Sequence, residues 1–341
     1  MTVLRILIFS KMEEALYDLT GLKTLEEIPS LMTLGQGFIS ECRSFQSEKG
    51  KFFVKMNTKS QARTMFEGEK AGLSAILATG LVRCPIPIEI YDLKDGPGSI
   101  FVMEYMELRD LDRYAATLGE AIARLHLHNS RLKMKEEKHE GRIGGVPVSR
   151  PTYMQDVNGE DVEEETQRSV SQFGFHTTTC GGYQPLDNTW SDDWMNFYVR
   201  QRLKPKVDNI EREYGDRTLI ELWPRLLAVI PSLYRGIDRI VPALLHGDLH
   251  GGNVAETTTG PVTYDPACFY GHHELDLAET RDFVDFNQDF YPAYYRLVPK
   301  AEGFDEREKL YKIFHYLNNW SHFGPKYKDK VITLIGELVE K

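Results

Sequence analysis

Leu244-Leu245-His246-Gly247-Asp248-Leu249-His250-Gly251-Gly252-Asn253-Val254 is followed, after a turn at Thr258-Thr259-Gly260, by Val262-Thr263-Tyr264-Asp265-Pro266. An apolar strand, Val241 to Leu245, delivers a loop that holds an aspartate and, five residues later, an asparagine. The turn then returns a second strand that ends in another aspartate. Phosphoryl transfer requires these residue types in this order. One carboxylate must accept the proton of the attacking hydroxyl, and one amide oxygen and one carboxylate must hold the metal ions that neutralise phosphate charge. On this reading Asp248 is the catalytic base. The hairpin brings Asn253 and Asp265 to one end of the loop as metal ligands.

The loop parallels the catalytic loop and metal-binding aspartate of protein kinases, so the remaining parts of such a site should precede it. Leu34-Gly35-Gln36-Gly37-Phe38-Ile39-Ser40 fits a phosphate-covering turn from Gly35 to Ser40, because Gly35 and Gly37 let backbone N–H groups approach phosphate oxygens. A plain hairpin uses the same letters. Lys51 to Met56 reads as a strand with Phe52, Val54 and Met56 on one face and Phe53 and Lys55 on the other. Lys55 then stands where a kinase holds its phosphate-pairing lysine, although alone it reads as a solvated strand residue. Ser60 to Leu77 reads as a helix with Ala62, Met65, Phe66, Leu73, Ile76 and Leu77 as its apolar stripe and Gly80 as its stop. It offers Glu67 and Glu69 as acidic partners for Lys55. Each feature alone is weak, and their order along the chain is what carries the reading.

Gly247-Asp248-Leu249-His250-Gly251 also fits the opening of metal-dependent phosphoesterases, in which the Asp and His ligate a metal. Such enzymes need further Gly-Asp and Gly-Asn-His blocks downstream, and the chain has none. Gly215-Asp216-Arg217 lies upstream, at a helix end. His272-His273 could add ligands, but adjacent histidines on a loop are expected at the surface.

The 341 residues are 41% hydrophobic and 27% charged, enough for one large domain or two modest ones. A formal charge of -10 argues against a sequence-independent grip on nucleic-acid phosphates, while net charge leaves room for a local basic cleft. The four cysteines, Cys42, Cys84, Cys180 and Cys268, are scattered and form no Cys-x-x-Cys pair, which argues for a reducing compartment, the cytoplasm. No apolar run reaches the roughly 18 residues of a membrane span, so no membrane partner is expected. Val3 to Phe9 is apolar but broken by Arg5 and lacks a small-residue cleavage site, so residues 1–12 read as a dispensable extension rather than a secretory signal.

Up to residue 106 short strands surround one helix, with Ser99 to Tyr105 as a further strand after the turn Asp95-Gly96-Pro97-Gly98. This is the expected nucleotide-binding lobe. From 107 to 341 helical patterns dominate, as expected of a catalytic and substrate lobe. A helix marked by Leu118, Ile122 and Leu125 is expected to end near His128, ahead of a charged stretch and a flexible acidic loop over about 140–170. Trp190 to about Tyr214 and Leu222 to Leu233, with a break near Pro231, read as helices, as does Asp305 to Lys341.

Several segments resemble the fructosamine kinase family, the ketosamine 3-kinases. They are Gln61-Ala62-Arg63-Thr64-Met65-Phe66-Glu67-Gly68-Glu69, Phe173-Gly174-Phe175-His176, Pro242 to Asp248, Gly251-Gly252-Asn253-Val254-Ala255-Glu256, Asp265-Pro266-Ala267, Phe269-Tyr270-Gly271-His272 and Phe314-His315-Tyr316-Leu317-Asn318. The resemblance runs from about 30 to 325 and implies an α+β, two-lobed protein-kinase-like fold of the aminoglycoside phosphotransferase and choline kinase type. It implies ATP and Mg2+ as cofactors. The implied substrates are glycated proteins or ketosamine small molecules, phosphorylated on the sugar C3 hydroxyl. A phosphate placed there eliminates, releasing a dicarbonyl sugar and freeing the lysine amine.

Carried over residue by residue, Asp248 is the base and Asn253 and Asp265 are the Mg2+ ligands. Lys55 binds phosphate with Glu69, rather than Glu67, as its partner. Glu104, Tyr105 and Met106 form the adenine-contacting hinge. His246 and His250 are candidate substrate contacts, and a monomer is expected. Two positions depart from the family: Phe38 stands where many members carry cysteine in the glycine-rich turn, and His250 stands where they usually carry tryptophan. A kinase for a free amino-alcohol or aminoglycoside-like molecule, and a nucleotide-binding pseudokinase, remain as alternatives.

Overall fold

Phe53 faces inward towards a helix while Val54 and Met56 face the opposite side of the sheet, the alternation that a strand imposes on this sequence. The computed structural model describes residues 12–14, 16–17, 25–29, 39–94, 96–140, 154–155, 161–162, 168–280 and 286–340. The small lobe contains β1 (Leu25–Ile28), β2 (Glu41–Ser47), β3 (Gly50–Asn57), helix α1 (Ala62–Ala78), β4 (Pro87–Asp92) and β5 (Ser99–Glu104). Its strands form one antiparallel sheet in the order β1-β2-β3-β5-β4, with Lys55 opposite Cys42 and Phe101. Met12 and Leu16 pack with Phe45, Val54, Ile100 and Val102 on the outer face. On the inner face Phe53 and Phe101 meet Phe66, Leu73 and Ile76 of α1. Gly68 of α1 lies so close to the large lobe that a Cβ there would stand 2.5 Å from the Thr178 carbonyl oxygen.

The large lobe opens with α2 (Ala115–Glu140). Two short antiparallel ladders follow, β6 (Met154–Gln155) with β7 (Asp161–Val162) and β8 (Thr179–Gly181) with β9 (Gln184–Leu186). Helix α3 (Trp194–Phe197) passes through a π-helical turn at Tyr198–Leu203 into α4 (Lys204–Tyr214), and α5 (Arg217–Leu233) comes next. Strand β10 (Ala243–Leu245) pairs with β13 (Phe269–Gly271), and between them runs the hairpin of β11 (Val254–Glu256) and β12 (Pro261–Thr263). Helices α6 (Glu274–Glu279), α7 (Phe290–Leu297), α8 (Phe304–Phe323) and α9 (Lys328–Val339) complete the chain. One apolar core runs from Phe53 and Phe66 to Trp320 and Leu338, so both lobes share it. The hairpin is fastened to the linker between the lobes: Arg109 and Glu256 exchange backbone hydrogen bonds of 2.8 and 2.9 Å. The Glu256 carboxylate also accepts the N–H groups of Asp112 and Tyr114, 3.0 Å each, ahead of α2.

Three expected boundaries shift. Helix α2 continues past His128 to Glu140, because Arg131 to Glu140 is rich in the strong helix formers Leu, Lys, Met and Glu. The Glu136 carboxylate then takes the Ser169 N–H at 2.7 Å and ties the returning chain to the helix. Trp190 is not helical: Ser191 pairs with Phe173, and Asp193 caps α3 through the Asn196 N–H at 2.6 Å. Helix α5 runs through both Pro224 and Pro231, the second near its end, where the missing N–H disturbs little of the remaining helix. Most of the expected acidic loop, along with Asp95, lies outside the described residues; β6 and β7 fall within its expected span. Among the described residues no helix is long and apolar enough to cross a membrane.

Candidate active site

Strand β10 is wholly buried and presents the loop from His246 onward at its end. Gly247 makes the turn with φ +82°, and a Cβ there would lie 2.2 Å from the Ala267 carbonyl oxygen, so no other residue fits. Asp276 on α6 holds the loop from below. Its carboxylate accepts the backbone N–H groups of His246 and Gly247, both at 2.8 Å, and contacts His126 Nε2 at 3.0 Å. Burial opposes the Asp276 charge, but His126 and the loop amides outweigh it and hold its pKa below the ordinary aspartate value. His126 Nδ1 lies 2.7 Å from the Tyr294 hydroxyl, which fixes the ring. Asp276 and His126 were not singled out from the sequence. Asp276 sits in a short acidic helix, and nothing local distinguishes it from its neighbours.

On this support the Asp248 side chain keeps 32% exposure, so a hydroxyl can reach it. Burial on its other sides, and then Glu279, push its pKa up to about 7 against His250, His315 and Asn253. A base poised near neutrality can accept a proton there and still be ionised at working pH. Asn253 Nδ2 donates to both the backbone carbonyl and Oδ2 of Asp248, 2.9 Å each, leaving the amide oxygen as its remaining acceptor. His250 Nδ1 accepts the Gly252 N–H at 2.9 Å, so Nε2 carries the ring proton, and it lies 3.8 Å from Asp248 Oδ2.

Across the cleft, Lys55 Nζ donates to Glu69 Oε1 at 2.7 Å and to Asp265 Oδ1 by a second ion pair. Burial works against the Lys55 charge, but the carboxylates, Asp265 foremost, hold its pKa above the ordinary lysine value. Burial pushes Glu69 up to about 7 against the pull of Lys55. Glu67 instead pairs with Arg63 on the exposed side of α1 at 2.7 Å. Asp265 has φ +56°, the one positive φ of a non-glycine among the described residues. Such a conformation costs of order 1 kcal/mol or more and is kept where its geometry serves a site.

The structure thus brings together Lys55, Glu69 and Asp265, and couples Asn253 to Asp248. Gly35, Gly37 and Phe38 lie outside the described residues. Ser40 is described, and Asn57 Nδ2 reaches its Oγ at 3.3 Å and the Ile39 carbonyl at 2.9 Å. Glu104 directs its carboxylate to Arg83 and to the Ile86 N–H, the latter at 3.0 Å; Tyr105 lies beneath Lys51, and Met106 is buried. A cavity of about 650 Å³ opens beside this hinge, lined by Leu81, Arg83, Glu104, Met106 and Gly260 among others, and it includes none of the transfer residues.

His246 is fully buried behind the loop with Nε2 on the Tyr264 carbonyl, 3.1 Å away. His272 is buried and His273 half-buried rather than exposed, and burial drives both pKa values down, that of His273 to about 3. They do not form a free metal set with Glu274: His272 Nδ1 meets the Tyr311 hydroxyl at 2.7 Å, and Arg307 holds Glu274 by bonds of 2.7 and 2.8 Å. Asp216 caps α5 and pairs with Lys328, so it adds nothing to a phosphoesterase centre.

A family model for fructosamine kinase matches residues 11–138 and 159–341. The chain belongs to that family. It is 46% identical to the ketosamine-3-kinase of Mus musculus over 304 residues, 89% of this chain and 93% of that protein. It is 30% identical to the chloroplastic protein-ribulosamine 3-kinase of Oryza sativa subsp. indica over 314 residues, 92% of this chain and 80% of that protein. A crystal structure of a Haemophilus somnus protein assigned as a fructosamine-3-kinase superposes with a TM-score of 0.72 at 20% identity, covering 97% of each chain, and supports the fold. Family membership makes the chain a phosphotransferase acting on a hydroxyl, in a two-lobed kinase-like fold.

Proposed function

We propose that the chain is an ATP-dependent protein-ketosamine 3-kinase that phosphorylates the C3 hydroxyl of ribulosamine- or fructosamine-type adducts on protein lysines, leading to their removal. The observation that carries the reading is Asp248, reachable from the cleft, held near neutrality and oriented by Asn253, within a family named for ketosamine phosphorylation. Asp248 accepts the proton of the C3 hydroxyl as its oxygen takes the γ-phosphoryl group of ATP. Lys55, steadied by Glu69, is the cation for the phosphate oxygens. The Gly35 to Ser40 turn covers them, and Glu104 to Met106 contact the adenine. The amide oxygen of Asn253 and the carboxylate of Asp265 are hard oxygen donors of the kind that suits Mg2+. Bound there, Mg2+ would neutralise phosphate charge. The phosphate left on C3, next to the C2 carbonyl, departs by elimination from the enaminol form, and water then hydrolyses the C1 imine that remains, releasing the dicarbonyl sugar and the lysine amine. We place the protein in a reducing, cytosol-like compartment as a monomer; the four unpaired cysteines support the compartment.

The test is ATP-dependent phosphate incorporation into ribulosamine- and fructosamine-modified lysine, beside choline, an aminoglycoside and unmodified sugars. Turnover of a ketosamine is expected, with Asp248→Asn lowering kcat by about 10²-fold or more. Full activity of Asp248→Asn overturns the assigned base. Preference for choline or the aminoglycoside overturns the substrate.

A further inference from the structure

Four buried or half-buried carboxylates surround the catalytic loop besides Asp248. Glu69 and Asp265 are taken by Lys55, and Asp276 is taken by the loop amides and His126. Glu279 is left. It is 5% exposed and lies one helical turn beyond Asp276, so the two share a face of α6. Asp276 reaches the backbone of His246 and Gly247, and Glu279 lies near enough to Asp248 for its charge to raise the Asp248 pKa.

Glu279 is expensive where it stands. It is buried, and as the last residue of α6 it meets the negative end of the helix dipole. Its neighbour is His315 of α8, 4% exposed, whose Nδ1 lies 3.1 Å from Glu279 Oε2. That contact is within ion-pair distance, and against burial Glu279 raises the His315 pKa. Among the described residues, neither Glu279 Oε2 nor His315 Nε2 has a hydrogen-bond partner. Buried polar atoms are nearly always satisfied, so two of them beside the base call for a partner of opposite character.

The ketosamine supplies one. Its secondary amine, protonated near neutrality, is attached to C1, two carbons from the C3 whose hydroxyl must reach Asp248. We propose that Glu279, positioned by His315, is the anionic partner of this ammonium group and makes the site prefer amine-bearing ketoses over plain ones. The inference rests on the ketosamine reading above.

The experiment compares a ribulosamine or fructosamine of lysine with the corresponding 1-O-alkyl ketose ether, which has the same C3 hydroxyl and no amine. Steady-state kcat and KM are measured at saturating ATP for the wild type, Glu279→Gln and Glu279→Asp. The kcat/KM preference for amine over ether is expected to fall roughly 10- to 100-fold in Glu279→Gln, mainly through KM for the amine. Glu279→Asp should restore part of it. An unchanged preference in Glu279→Gln overturns the inference, as does equal loss on both acceptors, which would assign Glu279 to the fold or to the base. A wild type that phosphorylates no ketosamine overturns the parent reading, and is told apart because the wild-type arm alone fails.

Discussion

Asp248 stands between two walls built on opposite principles. On the phosphate side, Lys55 is ion-paired to both Glu69 and Asp265, and each carboxylate there has its cation. On the side we assign to the acceptor, Glu279 Oε2 and His315 Nε2 have no hydrogen-bond partner among the described residues, and His250 Nε2 lies 3.8 Å from Asp248 Oδ2. The difference follows from what each wall must hold. The phosphate donor is the same in every turnover, so its wall can be internally matched. The acceptor varies, and a wall with open polar groups can select it, because a buried group left unpaired by the wrong acceptor carries a penalty.

The largest effect is expected on the matched wall. Lys55→Met leaves the buried Glu69 without its cation, and breaking a buried pair in this way costs about 3–5 kcal/mol. Thermal denaturation should show that loss together with loss of ATP binding. Retention of both would mean that the pair is not a working part of the site. Asp276→Ala is next. It leaves the buried N–H groups of His246 and Gly247 unpaired, at roughly 1–3 kcal/mol each. Stability and kcat should therefore fall together although the residue faces neither substrate; a fall in stability with kcat intact would separate the floor from the chemistry.

A pH profile probes the contact between the walls. Asp248 must be ionised to act, and its pKa is raised to about 7, so kcat/KM should rise with pH through an acid limb well above the ordinary aspartate value. Removing the Glu279 charge with Glu279→Gln should shift that limb to lower pH, since Glu279 raises Asp248 while His250 and His315 lower it. The stability sign is the reverse. The folded state binds this proton more tightly than the unfolded chain, so Asp248 destabilises increasingly as pH climbs from about 4 towards 7.

The smallest effect is expected at His250→Trp. It removes a cap worth roughly 0.5–1 kcal/mol, made through the Gly252 N–H, and should reorder the kcat/KM ranking of ribulosamine, fructosamine and psicosamine adducts by about 10-fold. An unchanged ranking would remove His250 from the acceptor wall.

What could be read in advance divides along the same line as the walls. The Asp248, Asn253 and Asp265 set was legible because one loop and one hairpin supply it, at a spacing set by local backbone geometry. Lys55 was legible only from its place in the order of parts, since alone it reads as a solvated strand residue. Glu69 was narrowed from two glutamates only by family resemblance. In the structure the choice is physical: Glu67 sits on the exposed side of α1 with Arg63, and Glu69 faces the cleft. Elsewhere local reasoning failed. Charge density between Arg131 and Glu140 looked like the start of a loop, although the residues were good helix formers. His272 looked like a surface histidine until Tyr311 and the core closed over it.

The sequence by itself determined the family, and with it a phosphotransferase acting on a hydroxyl. The carboxylate, metal donors and phosphate-binding lysine proposed above were assigned by residue type and order along the chain, which need no coordinates. Only the tertiary structure decided what surrounds the base. Asp276, Glu279 and His315 come from helices distant in sequence from His246 to Asn253, and no periodicity marks them. Their meaning arises when packing removes water, leaving one carboxylate saturated by loop amides and the other, a single helical turn away, beside Asp248 with an atom still unpaired.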